Sequence, residues 1–263
     1  MTNLKEDLFA NAKQWGADLV RVADSTRMAG METRPENLLN NFPRAISIAV
    51  QLADGIIDTI VDTPTEIYSQ HYQRVNALLD HIACRVSSFI QNNGGKALPL
   101  PASQILCEER FVSYISHKAV AINAGLGWQG KSLLLVTPQY GPRVRLVTIL
   151  TDLDIPADEP IRNRCGKCTK CTDACPSGAI KNVNTDLYYA SRNEAVDLTA
   201  CVDHLNKVSG YGNLSSYICG VCVASCPWGK KKRQPQKLAL IFCWFWGSRL
   251  RVWRRIINLS SHQ

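Results

Sequence analysis

Two cysteine runs hold the residues best suited to chemistry: Cys165-x2-Cys168-x2-Cys171-x3-Cys175-Pro176, and Cys201 followed by Cys219-x2-Cys222-x3-Cys226-Pro227. Together they contain eight of the chain's eleven cysteines. Two-residue gaps let a tight loop aim three thiolates at one centre, and a fourth must arrive from elsewhere. Eight soft sulfur ligands spaced this way are the donor set of two 4Fe–4S clusters. The proline after the last cysteine of each run belongs to a bacterial-ferredoxin pattern in which that cysteine ligates the other cluster. The expected sets are therefore Cys165, Cys168, Cys171 and Cys226 for one cluster, and Cys175, Cys201, Cys219 and Cys222 for the second. The long gap between Cys201 and Cys219 is the irregular part of the second run.

Other readings of so many cysteines fit less well. Disulfides suit small secreted chains, whereas this chain has an odd cysteine total and starts without a signal-peptide pattern. Zinc knuckles use CxxC pairs, but CxxCxxCxxxCP is not a usual zinc spacing. Cys84 and Cys107 read as small buried hydrophobes.

The elements that must position these thiols can be read from periodicity. Residues 3–14 alternate charge and apolar positions at helical spacing, and residues 18–23 form a short β-prone run after Gly16. Residues 45–52 (AISIAVQL) read as a buried strand. Over residues 68–91, Val75, Leu78, Leu79, Ile82, Val86 and Phe89 share a helical face, and Asn92-Asn93-Gly94-Gly95 stops that helix. A short proline-bounded segment (97–101) and a second helix (112–124) follow. Residues 133–137 and 144–151, joined by Pro138-Gln139-Tyr140-Gly141-Pro142, predict a hairpin. The expected class is α+β. An N-terminal α+β cofactor domain (1–160) would precede a ferredoxin-like double-cluster domain (161–229) and a C-terminal tail (230–263).

Composition describes an ordinary globular chain of 263 residues, 46% hydrophobic and 20% charged. The net charge of +8 belongs to the tail, since nine Lys or Arg and no Asp or Glu stand from Lys230 onward. The body is thus close to neutral and gives no global argument for nucleic-acid binding. No run of 18 apolar residues is present, and reduced, cluster-bearing cysteines fit a cytoplasmic protein. In the tail, the apolar-aromatic stretch 238–246 is flanked by cations. It suits peripheral contact with an anionic membrane, an RNA backbone, or a helix covering the cluster domain.

Between the second helix and the hairpin lies Gly125-Leu126-Gly127-Trp128-Gln129-Gly130-Lys131. Its glycines imply a helix stop and a close backbone approach, either as a plain turn or against a ligand. Lys131 adds a charge suited to phosphate or carboxylate. The spacing is neither a Walker loop nor a dinucleotide fingerprint.

The segments AGLGWQGKSLLLVTP (124–138), YGPRVRL (140–146), LTD (150–152) and CGKCTKCTDACPSGAI (165–180) make the chain resemble the epoxyqueuosine reductase family and its reductive-dehalogenase-like relatives. That resemblance implies an iron–sulfur oxidoreductase, a cobalamin-dependent enzyme with a cobalamin-binding N-terminal domain. Two 4Fe–4S clusters would pass electrons to the corrinoid, which would reduce epoxyqueuosine in tRNA or, in a divergent branch, another substrate. It implies corrinoid contacts from Gly125, Gly127, Trp128, Gly130, Lys131, Tyr140, Gly141 and Arg143, with Lys131 and Arg143 facing its polar groups. The external electron donor would be a ferredoxin or flavoprotein reductase.

The family's proton-donating aspartate precedes GLGW, and Phe111 stands near its place here. Candidates for the acid are His117, Glu108, Glu109 and Tyr114, with His117 the side chain best poised near neutral pH. The rival expectation is an electron-transfer or accessory ferredoxin-type protein with no substrate of its own.

Overall fold

The computed structural model describes residues 4–104, 106, 113–209 and 217–230. Helix α1 (Leu4–Gln14) leads into β1 (Leu19–Asp24), and a 3-10 turn (Ser25–Met28) and loop lead to β2 (Arg44–Gln51). Then come α2 (Asp54–Ile57), α3 (Glu66–Asn92), β3 (Ala97–Leu100) and α4 (His117–Asn123). Strands β4 (Trp128–Gln129), β5 (Leu135–Val136) and β6 (Val144–Thr151) follow. The cysteine-bearing stretch adds α5 (Lys170–Asp173), α6 (Arg192–Ala195), α7 (Leu198–Ser209) and α8 (Val221–Ser225).

The main sheet has the order β1-β2-β6-β3, and each neighbouring pair is antiparallel. In β2 the sequence Ala45-Ile46-Ser47-Ile48-Ala49-Val50 alternates small and large side chains. Since successive residues face opposite sides of a sheet, one face is bulky and the other shallow. Ile46, Ile48 and Val50 join Val147 and Ile149 of β6, packing on Leu79, Ile82 and Val86 of α3 and Leu8 of α1. Full burial of each large aliphatic contributes about 1.5–3 kcal/mol. On the shallow face, Ala49 and Leu146 pack on Ala121 and Ile122 of α4, and Ala45 and Leu150 pack on Val120. Ile218, Val221 and Val223, which flank the last cysteines, join the α3-side core.

Helix α3 starts where the Thr65 hydroxyl accepts from the Tyr68 amide, and it stops before Gly94 at φ 84°. Helix α4 starts at Ser116, whose hydroxyl accepts from the Ala119 amide at 3.3 Å. It ends at Gly125, φ 73°, with Gly125 N–H donating to Ile122 O and Leu126 N–H to Ala121 O. That is a Schellman stop. A side chain at Gly125 would also collide with the backbone carbonyl of Glu159, so the glycine serves both the turn and a close crossing of chain.

The hairpin expected from residues 133–151 does not form. Strand β5 pairs with β4 (Gln129 opposite Leu135), and β6 is held between β2 and β3. Strand β2 covers one edge of β6 along its whole length and β3 covers residues 148–151 of the other, while β5 takes β4 as its partner. Only the bridge between Thr137 and Gly141 closes the intervening turn. The expected α+β class, the early helix and the strands near 18–23 and 45–52 are present. Cys107, Glu108, Glu109, Phe111 and the tail from residue 231 lie outside the described residues.

Candidate cluster site and adjoining cavity

The eight cysteines of the two runs are all free thiols and half-buried. Their mutual electrostatics divide them. Cys165, Cys168 and Cys171 act on Cys226, while Cys175 and Cys219 act on Cys201. Cys222, on α8, feels Cys219 most strongly, then Cys171, Cys201 and Cys175. The neighbours of Cys226 and Cys201 agree with the expected cross-run sets, while Cys222 stands close to thiols of both. Burial, followed by the neighbouring thiols, pushes Cys222 well above the ordinary thiol range. Burial also raises Cys226 to about 11. Thiolates gathered this closely cannot ionise together without cations among them, so the donor set is chemically incomplete without metal. Among the described residues no three Cys, His, Asp or Glu side chains converge on a single metal ion. A four-iron cluster spreads its four thiolates over four irons, so such a set need not converge on one ion.

Several residues of the glycine-rich segment support the first foursome. The Trp128 indole donates to Cys165 Sγ at 3.3 Å, packs edge-on to Trp228 with centroids 4.8 Å apart, and lies beneath Arg164. Lys131 is buried and donates at 2.9 Å to both Cys168 O and Asn182 Oδ1, tying the first cysteine loop down. Arg143 is buried, reaches Ala224 O on α8 at 3.3 Å, and lies 3.9 Å from Asp54. A side chain at Gly141 would collide with the Trp228 carbonyl, one at Gly127 with the Val136 carbonyl, and one at Gly130 with the Val136 side chain. The Tyr140 amide donates to Thr137 Oγ1, and its side chain packs against the cluster that holds Ala49, Ile122 and Leu146.

A cavity of about 770 Å³ opens on the shallow face of the sheet. It lies within the range of ligand pockets. Leu133, Leu134, Leu135, Val144 and Leu146 give it an apolar wall. Residues 188–192, between the two cysteine runs, also line it. None of Gly125, Gly127, Trp128, Gly130, Lys131, Tyr140, Gly141 and Arg143 lines this cavity. The structure sets them against the cysteine loops and the core instead. The lining residues from the same region are Gln129, Leu133–Leu135, Pro142 and Val144, which lie within the segments 124–138 and 140–146 beside the residues expected to touch a ligand.

His117 does line the cavity. Its Nε2 is 2.9 Å from Pro101 O, which can only accept, so Nε2 carries the proton. Nδ1 then accepts from the buried Thr148 hydroxyl at 2.8 Å. Burial, with a smaller contribution from the Arg145 cation, lowers the imidazole pKa to about 4. At neutral pH His117 is therefore an uncharged clamp between α4, β6 and Pro101, with both nitrogens engaged. That geometry suits a positioning role better than a proton store.

Residues 164–229 match the family model described as a 4Fe-4S double cluster binding domain. The chain is 34% identical over 221 residues to an epoxyqueuosine reductase of Vibrio cholerae, covering 76% of this chain and 53% of that relative. It spans about half the length of this relative, and 30% of several others. Among solved structures, a reductive dehalogenase associated with B12-dependent dehalogenation aligns with TM-score 0.68 and 21% identity, over 86% of this chain and 32% of that one. An epoxyqueuosine reductase crystallised with a tRNA-Tyr stem loop aligns with TM-score 0.60 and 23% identity, over 87% of this chain and 66% of that one. The resemblance drawn from the glycine-rich, hairpin and cysteine segments is thereby borne out, and the fold is the one these structures share.

Proposed function

We propose that the protein is an iron–sulfur reductase of the epoxyqueuosine-reductase type, with a corrinoid-binding cavity beside two 4Fe–4S clusters. Cys165, Cys168, Cys171 and Cys226 would hold one cluster, and Cys175, Cys201, Cys219 and Cys222 the other. When bound, the clusters supply electrons singly and a corrinoid supplies the reductive chemistry. The chain's own residues do the positioning. Lys131 and Arg143 lock the cysteine loops to the sheet, Trp128 donates a hydrogen bond to a cluster sulfur, and Leu133–Leu135, Val144 and Leu146 offer an apolar wall to a macrocycle. Residues 188–192 would line the cavity from the stretch between the cysteine runs. A modified tRNA base is the substrate class that the relatives' names suggest, and a ferredoxin or flavoprotein would be the electron donor.

The observation that supports this most is the adjacency of the two thiol foursomes to the cavity, whose wall is built from the chain between the runs. Anaerobic reconstitution tests it. About eight irons per chain and a spectral change on adding cobalamin, with the corrin retained through gel filtration, are expected. Eight irons without corrin retention would leave the accessory electron-transfer protein as the reading, which the engagement of both His117 nitrogens favours. Among the described residues no helix is long and apolar enough to cross a membrane. Membrane contact by the tail remains a proposal that vesicle binding by the full chain would test.

A further inference from the structure

The cavity lining is electrostatically unbalanced. It holds Arg27, Lys118, Arg145 and Arg192 against a single carboxylate, Glu32. Two of the cations are committed to protein. Arg27 pairs with Glu159 and donates to Asp158 O, and Arg145 donates to Asn76 Oδ1 while stacking 4.0 Å over Tyr72. Lys118 and Arg192 have neither a hydrogen-bond nor an ion-pair partner among the described residues. Both are exposed where they line the cavity. They come from different elements, Lys118 from α4 and Arg192 from α6 between the cysteine runs. Arg192 is nevertheless the strongest single charge acting on Lys118. Enclosure by the cavity walls, then Arg192 and Arg145, lower the Lys118 pKa to about 8, so its ammonium persists at neutral pH at a free-energy cost. The neighbouring Ser191 hydroxyl makes no capping bond and adds a donor.

Two unpartnered cations that line one concave site and act on each other, where Glu32 is the single carboxylate, call for an anion. Arginine offers a planar fork that matches phosphate oxygens, and lysine a mobile point charge. We propose that Lys118 and Arg192 form a subsite for a phosphodiester group of the cavity's ligand. The assignment of its source rests on the function proposed above. One candidate is the phosphodiester in the nucleotide loop of a corrinoid, and the other is the backbone of an RNA substrate.

The test uses the full chain with reconstituted clusters, as wild type, K118Q, R192Q and the charge-keeping K118R. Three probes are compared: cobalamin, cobinamide (a corrinoid without the nucleotide loop and its phosphodiester) and a tRNA anticodon stem loop. Iron content and the unfolding midpoint show which variants are folded, and K118R is expected to bind as wild type does. If the corrinoid supplies the group, K118Q and R192Q each weaken cobalamin binding about tenfold or more, as loss of a charge-assisted contact does. Cobinamide binding then stays within about twofold. If RNA supplies it, both corrinoids bind unchanged while the stem loop weakens and its salt slope falls by about one per cation removed. The proposal is overturned if folded K118Q and R192Q bind all three probes as wild type does, or if the wild type binds none of them. A wild type that binds the stem loop but no corrinoid defeats the corrinoid reading alone, because the RNA comparison still decides the subsite.

Discussion

Trp128 Nε1 and Cys165 Sγ lie 3.3 Å apart, so the indole donates a hydrogen bond to a sulfur of the first cysteine set. Such a donor stabilises the more negative, reduced form of an iron–sulfur cluster and raises its potential. At about 1 kcal/mol for a net hydrogen bond, its removal lowers a one-electron potential by about 40 mV. W128F keeps the ring against Trp228 and removes the donor. Redox titration followed by electron paramagnetic resonance should show one cluster shifted down and the other unmoved. Equal shifts in both clusters, or none, would count against the assignment.

The crossing of the last cysteine of each run is testable by iron counting. C175S and C219S should each cost one cluster, and the double variant should lose no more iron than either alone, because both act on the same set. C175S combined with C165S should lose both clusters. If each run instead kept its own cysteines, the two double variants would exchange outcomes.

His117 makes the fold sensitive to acid. Its folded pKa of about 4 lies below the ordinary value of 6.5, so the unfolded chain takes up a proton first as pH falls. The stability that depends on a neutral His117 is therefore intact above about pH 6.5 and falls progressively down to pH 4, by at most about 3 kcal/mol. H117Q should lose about 1–3 kcal/mol at pH 7 through the broken Thr148–Pro101 link and show a flatter stability profile between those pH values. Denaturant midpoints of both proteins, compared at equal iron content, give the answer. Parallel profiles would show that His117 is not the titrating group.

Gly125 and Gly141 both have positive φ and both lie against another backbone segment. G125A and G141A should each destabilise by about 2 kcal/mol or more, from backbone strain and from displacement of the Glu159 or Trp228 carbonyl. G141A should in addition slow cluster incorporation, because Trp228 follows Cys226 and Pro227 in the chain. A wild-type melting temperature in G141A would refute this account of the glycine.

Much of this organisation was legible in particular residues. The CxxCxxCxxxCP spacing announced the thiol sets, and the small-large alternation of Ala45–Val50 announced a strand buried on both faces. The cavity was not legible, because its lining comes from separate segments whose side chains carry no common pattern. Lys118 and Arg192 both lie outside every motif that the sequence offers. The glycine-rich segment shows the opposite effect. Its signal for close approach is real, but the approaching partners are the Glu159 and Val136 backbones. The hairpin failed for a reason no local pattern contains, since β6 is shared between two partners distant in sequence.

Residues 188–192 lie on the chain between Cys175 and Cys201 and also wall the cavity. The span is pinned to β4 by Tyr189 N–H, which donates to Gln129 Oε1, and closed at its base by the Ile180–Val196 bridge. A shift of either cysteine run would therefore be passed to one wall of the pocket, so the state of the thiols and the shape of the pocket are coupled through a single stretch of chain.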